Sequence, residues 1–274
     1  MKLCRFHLPA ALAKNPPGVK PGDDSLLRRG VLRGETVHEI TGDFPEGRTE
    51  TGRAWPLSDV RLVPPVIPSK IVCVGRNYSE HAAELGNPLP KDPLIFLKPS
   101  TSVIGPDEAI CLPGISDQVD YEGELAVVIG RRCFRPVSSE DIHTFIAGYT
   151  CLNDVTARDL QKKDVAQFTR AKCFDTFCPV GPVIETEFDL AAEHIETRVN
   201  GQVRQEGRPA ELLFSVDVII RWVAQVMTLL PGDIIALGTP PGVGTLRAGD
   251  VVEVEVSGIG VLRNLVVRVP DMPA

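Results

Sequence analysis

The 274-residue chain carries 29 Lys and Arg against 36 Asp and Glu, a net charge of −7, with no basic block, which argues against a nucleic-acid partner. Pro and Gly number 24 each and aromatics are few, a composition of turns and short strands, not of a helical bundle. The longest apolar stretch, Val216–Leu230, is broken by Asp217, Arg221 and Gln225, and the N-terminus soon runs into charge and proline, so neither a membrane span nor a signal peptide is expected. Seven scattered cysteines without a CxxC pair suggest reduced thiols and a cytoplasmic protein, not a zinc site.

Residues 1–65 are rich in Gly, Pro, Arg and Thr, with strand-like pieces at Gly30–Arg33 and Thr36–Ile40, and the proline run at Pro64, Pro65 and Pro68 reads as a linker. Beyond it Ile71–Val74 is a short apolar strand. Ser79 can cap a short helix, Glu80–Leu85, that Gly86 would end. Pro93–Leu97 and Ala109–Leu112 read as strands. Val119–Ile129 reads as one long strand whose first half alternates and whose second half, LAVVI, is continuously apolar, so one end is accessible and the other buried.

A helix is expected from Ser138 or Ser139, with Ile142, Phe145 and Ile146 on one face and Gly148 as its stop. Tyr149–Leu152 is a strand ending at Asn153-Asp154. In Ile195–Gln205 the pair Asn200-Gly201 signals a type I′ hairpin. Ser215 can cap one long helix, with Val218, Ile219, Trp222, Val223, Val226 and Leu230 at helical spacing, ended by Pro231-Gly232. Val251–Val256 and Val261–Val269 form a final hairpin. No internal repeat and no βαβ alternation occur, so the expected architecture is mixed β, mainly antiparallel, with few helices.

Glu122 and Glu124 stand two apart on a strand and so share a face, with Asp120 in line. Carboxylates in close approach repel unless a cation or proton lies between them. Asp154 ends another strand. Three carboxylates on rigid elements suit a hard cation and leave positions open for water or substrate. Acidic pairs are also common on solvated strand faces, and spacing alone does not separate the two readings. Gly123 between the glutamates marks the close approach of another group.

His81 and Glu84 lie three apart on the short helix, a pair able to position and deprotonate water or to form a plain surface ion pair. The Gly/Pro-rich segment GNPLPKDP after them could fold over a site as a lid. Lys172 could hold a carboxylate or a developing enolate, or simply be exposed. Thr239 lies in GTPPGVG, a tight turn without the Lys-Ser/Thr ending of a phosphate loop, so a nucleotide site is not expected.

Taken in order, GRNYSEHAAELG, FLKP, DYEGELAVVIG, NDVTARD, AKCFDTFCPVGP, VNGQVRQEG and PGDIIALGTPPGVG resemble the fumarylacetoacetate hydrolase (FAH) family, in its short FAH-domain branch, over about residues 65–269. The resemblance implies that family's β-roll for residues 66–274, behind a small N-terminal β module over residues 1–65, and a homodimer. It places one Mg2+ or Mn2+ per subunit on Glu122, Glu124 and Asp154, and makes His81, Glu84 and Lys172 catalytic. Gln161, Thr239 and Arg158 match positions that contact substrate or support the site. The longer family members add an aspartate ligand before the lid histidine; VGRNYSE has none, so three protein ligands plus waters are expected.

The implied substrate is a small 2-oxo acid. The favoured reaction is hydrolysis of a C–C bond in a 2,4-dioxo acid of acylpyruvate or fumarylpyruvate type, with the metal stabilising an enolate. Isomerisation, tautomerisation or decarboxylation of a 2-oxo diacid could use the same groups. A non-catalytic binding protein on the same fold is the reading from another class.

Overall fold

The computed structural model describes residues 1–8, 27–42, 47–84, 86, 88–163 and 167–268. Among them, strands form three sheets of twelve, five and three strands, and pairing is antiparallel except at three joins. The mixed, mainly antiparallel β architecture expected from the sequence is present. No helix among the described residues is long and apolar enough to cross a membrane. All seven cysteines are free.

The strand Gly123–Ile129 is the centre of the large sheet, flanked by Ile146–Asn153 and Ile234–Ala236. Its unbroken apolar run has a physical reason. Leu125, Val127 and Ile129 face one core, shared with the helix Val216–Val226, while Ala126 and Val128 face a second core on the other side. A strand buried on both faces cannot alternate with polar residues. Each large aliphatic side chain so buried contributes about 1.5–3 kcal/mol, so the strand's register, and whatever its end carries, is firmly set.

The N-terminal strands extend this sheet. Lys2–His7 pairs with Leu27–Arg33 and with Arg61–Val63, and touches Cys178–Glu185 through Lys2 and Leu3. The sequence-derived hairpin is present: Ile195–Val199 and Gln202–Gly207 join through Asn200 (φ 53°) and Gly201 (φ 74°), both in the left-handed region a type I′ turn demands.

Three expectations need correction. Val119–Ile129 is not one strand. Val119–Tyr121 belongs to the small sheet, beside Thr156–Ala157 and Gly244–Thr245, and Gly123–Ile129 to the large one, with Glu122 in the break. At the break the ladder is replaced by side chains: Glu122 N–H donates to Asn153 Oδ1 at 3.0 Å, and Gly123 N–H to Gln205 Oε1 at 3.0 Å. The helix expected after Ser139 shrinks to a single 3-10 turn, Ile142–Phe145, capped by Asp141, because Ile146 is drawn into a strand. The long helix ends at Val226, not at Pro231: Met227 is extended, and Leu229 makes a bridge to Cys133. Its buried face is Val216, Ile219, Ile220, Val223 and Ala224, leaving Val218 and Val226 exposed.

The short helix after the first main-domain strand runs Ser79–Glu84, and Leu85, at its expected end, lies outside the described residues, as does Asn87 in the expected lid. The last strand is Gly260–Arg268, with Val269 likewise outside. Two short helices went unread in the sequence, Arg158–Lys163 and Phe168–Lys172; both are too short to show an apolar period.

Candidate metal centre

Glu122 sits where the chain passes from the small sheet to the large one, Glu124 lies inside the large sheet, and Asp154 follows the end of the neighbouring strand. Their carboxylate oxygens lie within 4.8 Å of one another and all three residues are buried. Asp154 N–H donates to Glu122 C=O at 2.8 Å, which ties the two ligand-bearing segments together. Gly123 is required between the glutamates: a Cβ there would meet Thr197 Oγ1 at 2.0 Å, the close approach that its place in the motif suggests.

Buried cations brace the triad. Lys172 Nζ donates to Glu122 at 2.8 Å, Asp154 at 2.5 Å and Thr156 Oγ1 at 2.8 Å. Lys98 Nζ donates to Asp154 Oδ1 at 2.6 Å and Val155 C=O at 3.1 Å. Arg158 donates to Glu122, to Asp120 at 2.9 Å and to Gln161 Oε1 at 2.7 Å. Arg158 therefore holds the glutamate side of the site and orients Gln161. Asp120, expected in line with the glutamates, turns instead to Arg158 and Thr245.

The two glutamates are not equivalent. Burial raises the Glu122 carboxyl, but Lys172, Arg158 and His81 outweigh it and carry the group well below the usual range. Among the described residues Glu124 has no cation in hydrogen-bond contact, and it accepts from Gly238 N–H at 2.7 Å. Burial, then Asp154 and Glu122, push its carboxyl well above the usual range. A buried carboxylate crowded by two others and short of a counter-charge is what a bound cation would relieve. The three carboxylates offer oxygen donors only, a set that fits a hard divalent cation.

The triad opens into a cavity of about 520 Å3 lined also by Arg76, His81, Arg158, Gln161, Lys172 and Thr239. Phe96 and Phe168, stacked at 5.1 Å, form an apolar wall, and Lys172 Nζ lies 4.8 Å from the Phe96 ring centroid. His81 is buried, and its Nδ1 lies 3.3 Å from Glu84 Oε2. Glu84 is not part of the cavity wall; it stands behind the histidine and accepts from Gly242 N–H at 3.1 Å. Gly242 C=O in turn accepts from Tyr121 O–H at 2.9 Å, so the short helix is latched onto the GTPPGVG loop. Thr239 donates to Gly123 C=O at 2.8 Å and accepts from Gln205 at 2.7 Å, bracing the glutamate segment from the cavity side.

The nine residues singled out from sequence thus converge, eight on the cavity and Glu84 behind it. Lys98 and Arg76 were missed. Lys98 closes the strand Leu94–Lys98 within FLKP, and nothing local marks a strand-end lysine as fully buried.

Fold and site together define a class: β-rich proteins in which a segment passing from one sheet to another presents a cluster of buried carboxylates to a cavity. Comparison with known proteins supplies the family. The model for the fumarylacetoacetate (FAA) hydrolase C-terminal domain matches residues 70–267, and one described as Rv2993c-like, N-terminal, matches residues 1–65. The chain belongs to the fumarylacetoacetate hydrolase family.

It is similar to the crystal structure of 2-hydroxyhepta-2,4-diene-1,7-dioate isomerase from Mycobacterium marinum, 44% identical with a TM-score of 0.86, covering 99% of this chain and 100% of that one. It is 42% identical over 223 residues to the mitochondrial oxaloacetate tautomerase Fahd2a of Rattus norvegicus, 77% of this chain and 71% of that protein. Maleylpyruvate hydrolase from Sphingobium sp. SYK-6, solved with manganese(II) and pyruvate, is 29% identical with a TM-score of 0.75, covering 98% of this chain and 100% of that one.

Proposed function

We propose that the protein is a divalent-metal-dependent enzyme that interconverts keto and enol forms, or double-bond isomers, of a small 2-oxo dicarboxylic acid. The observation that carries this reading is the buried Glu122–Glu124–Asp154 triad opening into the same cavity as His81. Similarity to an isomerase and to an oxaloacetate tautomerase favours proton transfer over bond cleavage. A cation held by the three carboxylates would act as a Lewis acid toward the carboxylate and keto oxygen of the substrate.

The chain's own residues supply the rest. Glu84 holds the Nδ1 side of His81 and so leaves the other ring nitrogen to take a proton from the carbon next to the keto group and to return it. Burial lowers the Lys172 ammonium's hold on its proton, but Asp154 and Glu122 reverse that and raise it. All three of its donors are also engaged. Lys172 is therefore a fixed positive charge beside the developing enolate, not a proton donor. Phe96 and Phe168 keep water from that face.

Hydrolysis of a 2,4-dioxo acid, the reaction favoured from sequence, stands as the second reading, supported by the maleylpyruvate hydrolase relative and by the same His81–Glu84 pair acting on water. One panel separates the readings. Metal-stripped protein is reloaded with Mg2+ or Mn2+ and offered oxaloacetate, a 2-oxo-heptenedioate, acetylpyruvate and fumarylpyruvate, with enol–keto absorbance and product release followed separately. Interconversion without product supports the first reading; pyruvate release from the dioxo acids supports the second. Loss of neither activity on chelation, or no turnover with no bound metal, removes both.

A further inference from the structure

We propose that Arg76 binds the distal carboxylate of the substrate and makes the cavity selective for 2-oxo dicarboxylic acids over 2-oxo acids with an uncharged tail. The inference rests on the reading of the site as one for 2-oxo acids and adds the residue that reads the far end. Four cationic side chains line the cavity: Arg76, Arg158, Lys162 and Lys172. Arg158 and Lys172 are spent on Asp120, Glu122 and Asp154. Lys162 is exposed at the mouth. Arg76 is half-buried, and its guanidinium has no hydrogen bond or ion pair among the described residues. A partly desolvated guanidinium without a protein partner is an open bidentate site for a carboxylate.

The backbone adds an independent observation. Arg76 has φ +57°, the left-handed region that glycine occupies without strain and arginine does not. The turn is held there from both sides. Asn77 Nδ2 donates to Leu237 C=O at 2.8 Å and to Phe214 C=O at 3.3 Å, and its Oδ1 accepts from Phe214 N–H at 2.8 Å. Gly238 packs against the same asparagine, where a Cβ would lie 2.9 Å from Asn77 Cβ. A strained turn, pinned by a buried asparagine, thus carries an arginine on a cavity wall where glycine would be the relaxed choice. His81 lies five residues further along the same segment, so one stretch of chain brings both the proton-transfer group and the guanidinium to the cavity.

The test compares matched ligands on Mn2+-loaded protein: 2-oxoglutarate and 2-oxopentanoate by calorimetry, and oxaloacetate and its 4-methyl ester by turnover. Wild-type protein is expected to prefer the dicarboxylate of each pair by about 10- to 100-fold, the worth of one charge-assisted hydrogen-bonded pair. Arg76→Gln should erase that preference through Kd and KM while changing the uncharged-tail ligands less than about threefold, and Arg76→Lys should restore part of it. Arg76→Gly should erase the preference and melt at the same or a higher temperature, because it releases the strained φ.

Equal losses on both members of each pair, or a lowered melting temperature for Arg76→Gly, would make Arg76 structural and overturn the proposal. So would an undiminished preference in Arg76→Gln. Absence of turnover on both oxaloacetate ligands, with the calorimetric preference intact and abolished in Arg76→Gln, would overturn the catalytic reading and leave Arg76 as the carboxylate reader.

Discussion

Of the places where this chain carries glutamates two residues apart, two have opposite fates. Glu253 and Glu255 lie on Val251–Val256, an alternating strand whose polar residues face outward. With Glu196 they surround Arg198, which pairs with all three and is about one-fifth exposed. Glu122 and Glu124 flank the start of a strand buried on both faces, and there Arg158 and Lys172 reach Glu122 while Glu124 has no cation in hydrogen-bond contact among the described residues. The spacing is the same. What differs is whether water or the protein must neutralise the charge. At the surface a glutamate pair is satisfied by one arginine and solvent; in the interior it is costly, and its persistence signals something still to be bound.

The largest expected effect lies at the buried pair. Glu122→Gln, Glu124→Gln or Asp154→Asn should each cut turnover by about a thousandfold or more, through loss of Mn2+ binding measured by paramagnetic resonance. Glu253→Gln and Glu255→Gln should leave both unchanged, and an equal loss there would dissolve the contrast. Chelation should reproduce the first result in wild-type protein, and Mg2+ or Mn2+ should reverse it.

His81→Ala comes next, with turnover expected to fall by about 10^2- to 10^4-fold while Mn2+ affinity moves less than about threefold. Parallel loss of both would turn His81 into a structural or ligating residue. The two arginines then sharpen the comparison in stability. Arg158→Met leaves Asp120 and Glu122 buried without that partner and should cost about 3–5 kcal/mol in urea unfolding. Arg198→Met, among partly exposed carboxylates, should cost less than about 1 kcal/mol.

A further stability effect concerns Glu124 in metal-free protein. Its carboxyl is raised by burial and by Asp154 and Glu122, so the folded state holds that proton more tightly than the unfolded chain does. Stability should therefore fall as pH rises from the unfolded value of about 4.3 up through the raised folded one. Glu124→Gln removes this penalty, and its apo form should exceed wild type by about 1–3 kcal/mol at neutral pH, the gap opening with rising pH. Mn2+ should close or invert the gap. The low-lying Glu122 acts in the opposite sense, but below the same pH and in both proteins.

Much of this was legible in the order of residues. The LAVVI run, the Asn200-Gly201 turn and the Ser215 cap each rest on local physics: burial on two faces, a left-handed turn pair, and a side chain that accepts from Val218 N–H. The motif order identified the family and brought Glu122, Glu124, Asp154, His81, Glu84 and Lys172 to one place. What failed were expectations that required knowing a neighbour. A strand was read as continuous because nothing local shows Asn153 and Gln205 taking over the backbone at Glu122 and Gly123. The long helix was carried too far because Leu229 finds its partner at Cys133, far away in sequence.

The sequence by itself, through the order of its motifs, picked out nine side chains that meet at the site, three of them carboxylates suited to a hard cation. Only the tertiary structure decided how the charges are divided. It places Lys98 against Asp154, commits every donor of Lys172, stations Glu84 behind His81 on the Gly242 amide, and leaves Arg76 on the cavity wall without a partner among the described residues. The reason is range. Residue type and spacing fix what a segment can do within a few residues, whereas burial and the pairing of charges depend on segments brought together by folding from distant parts of the chain.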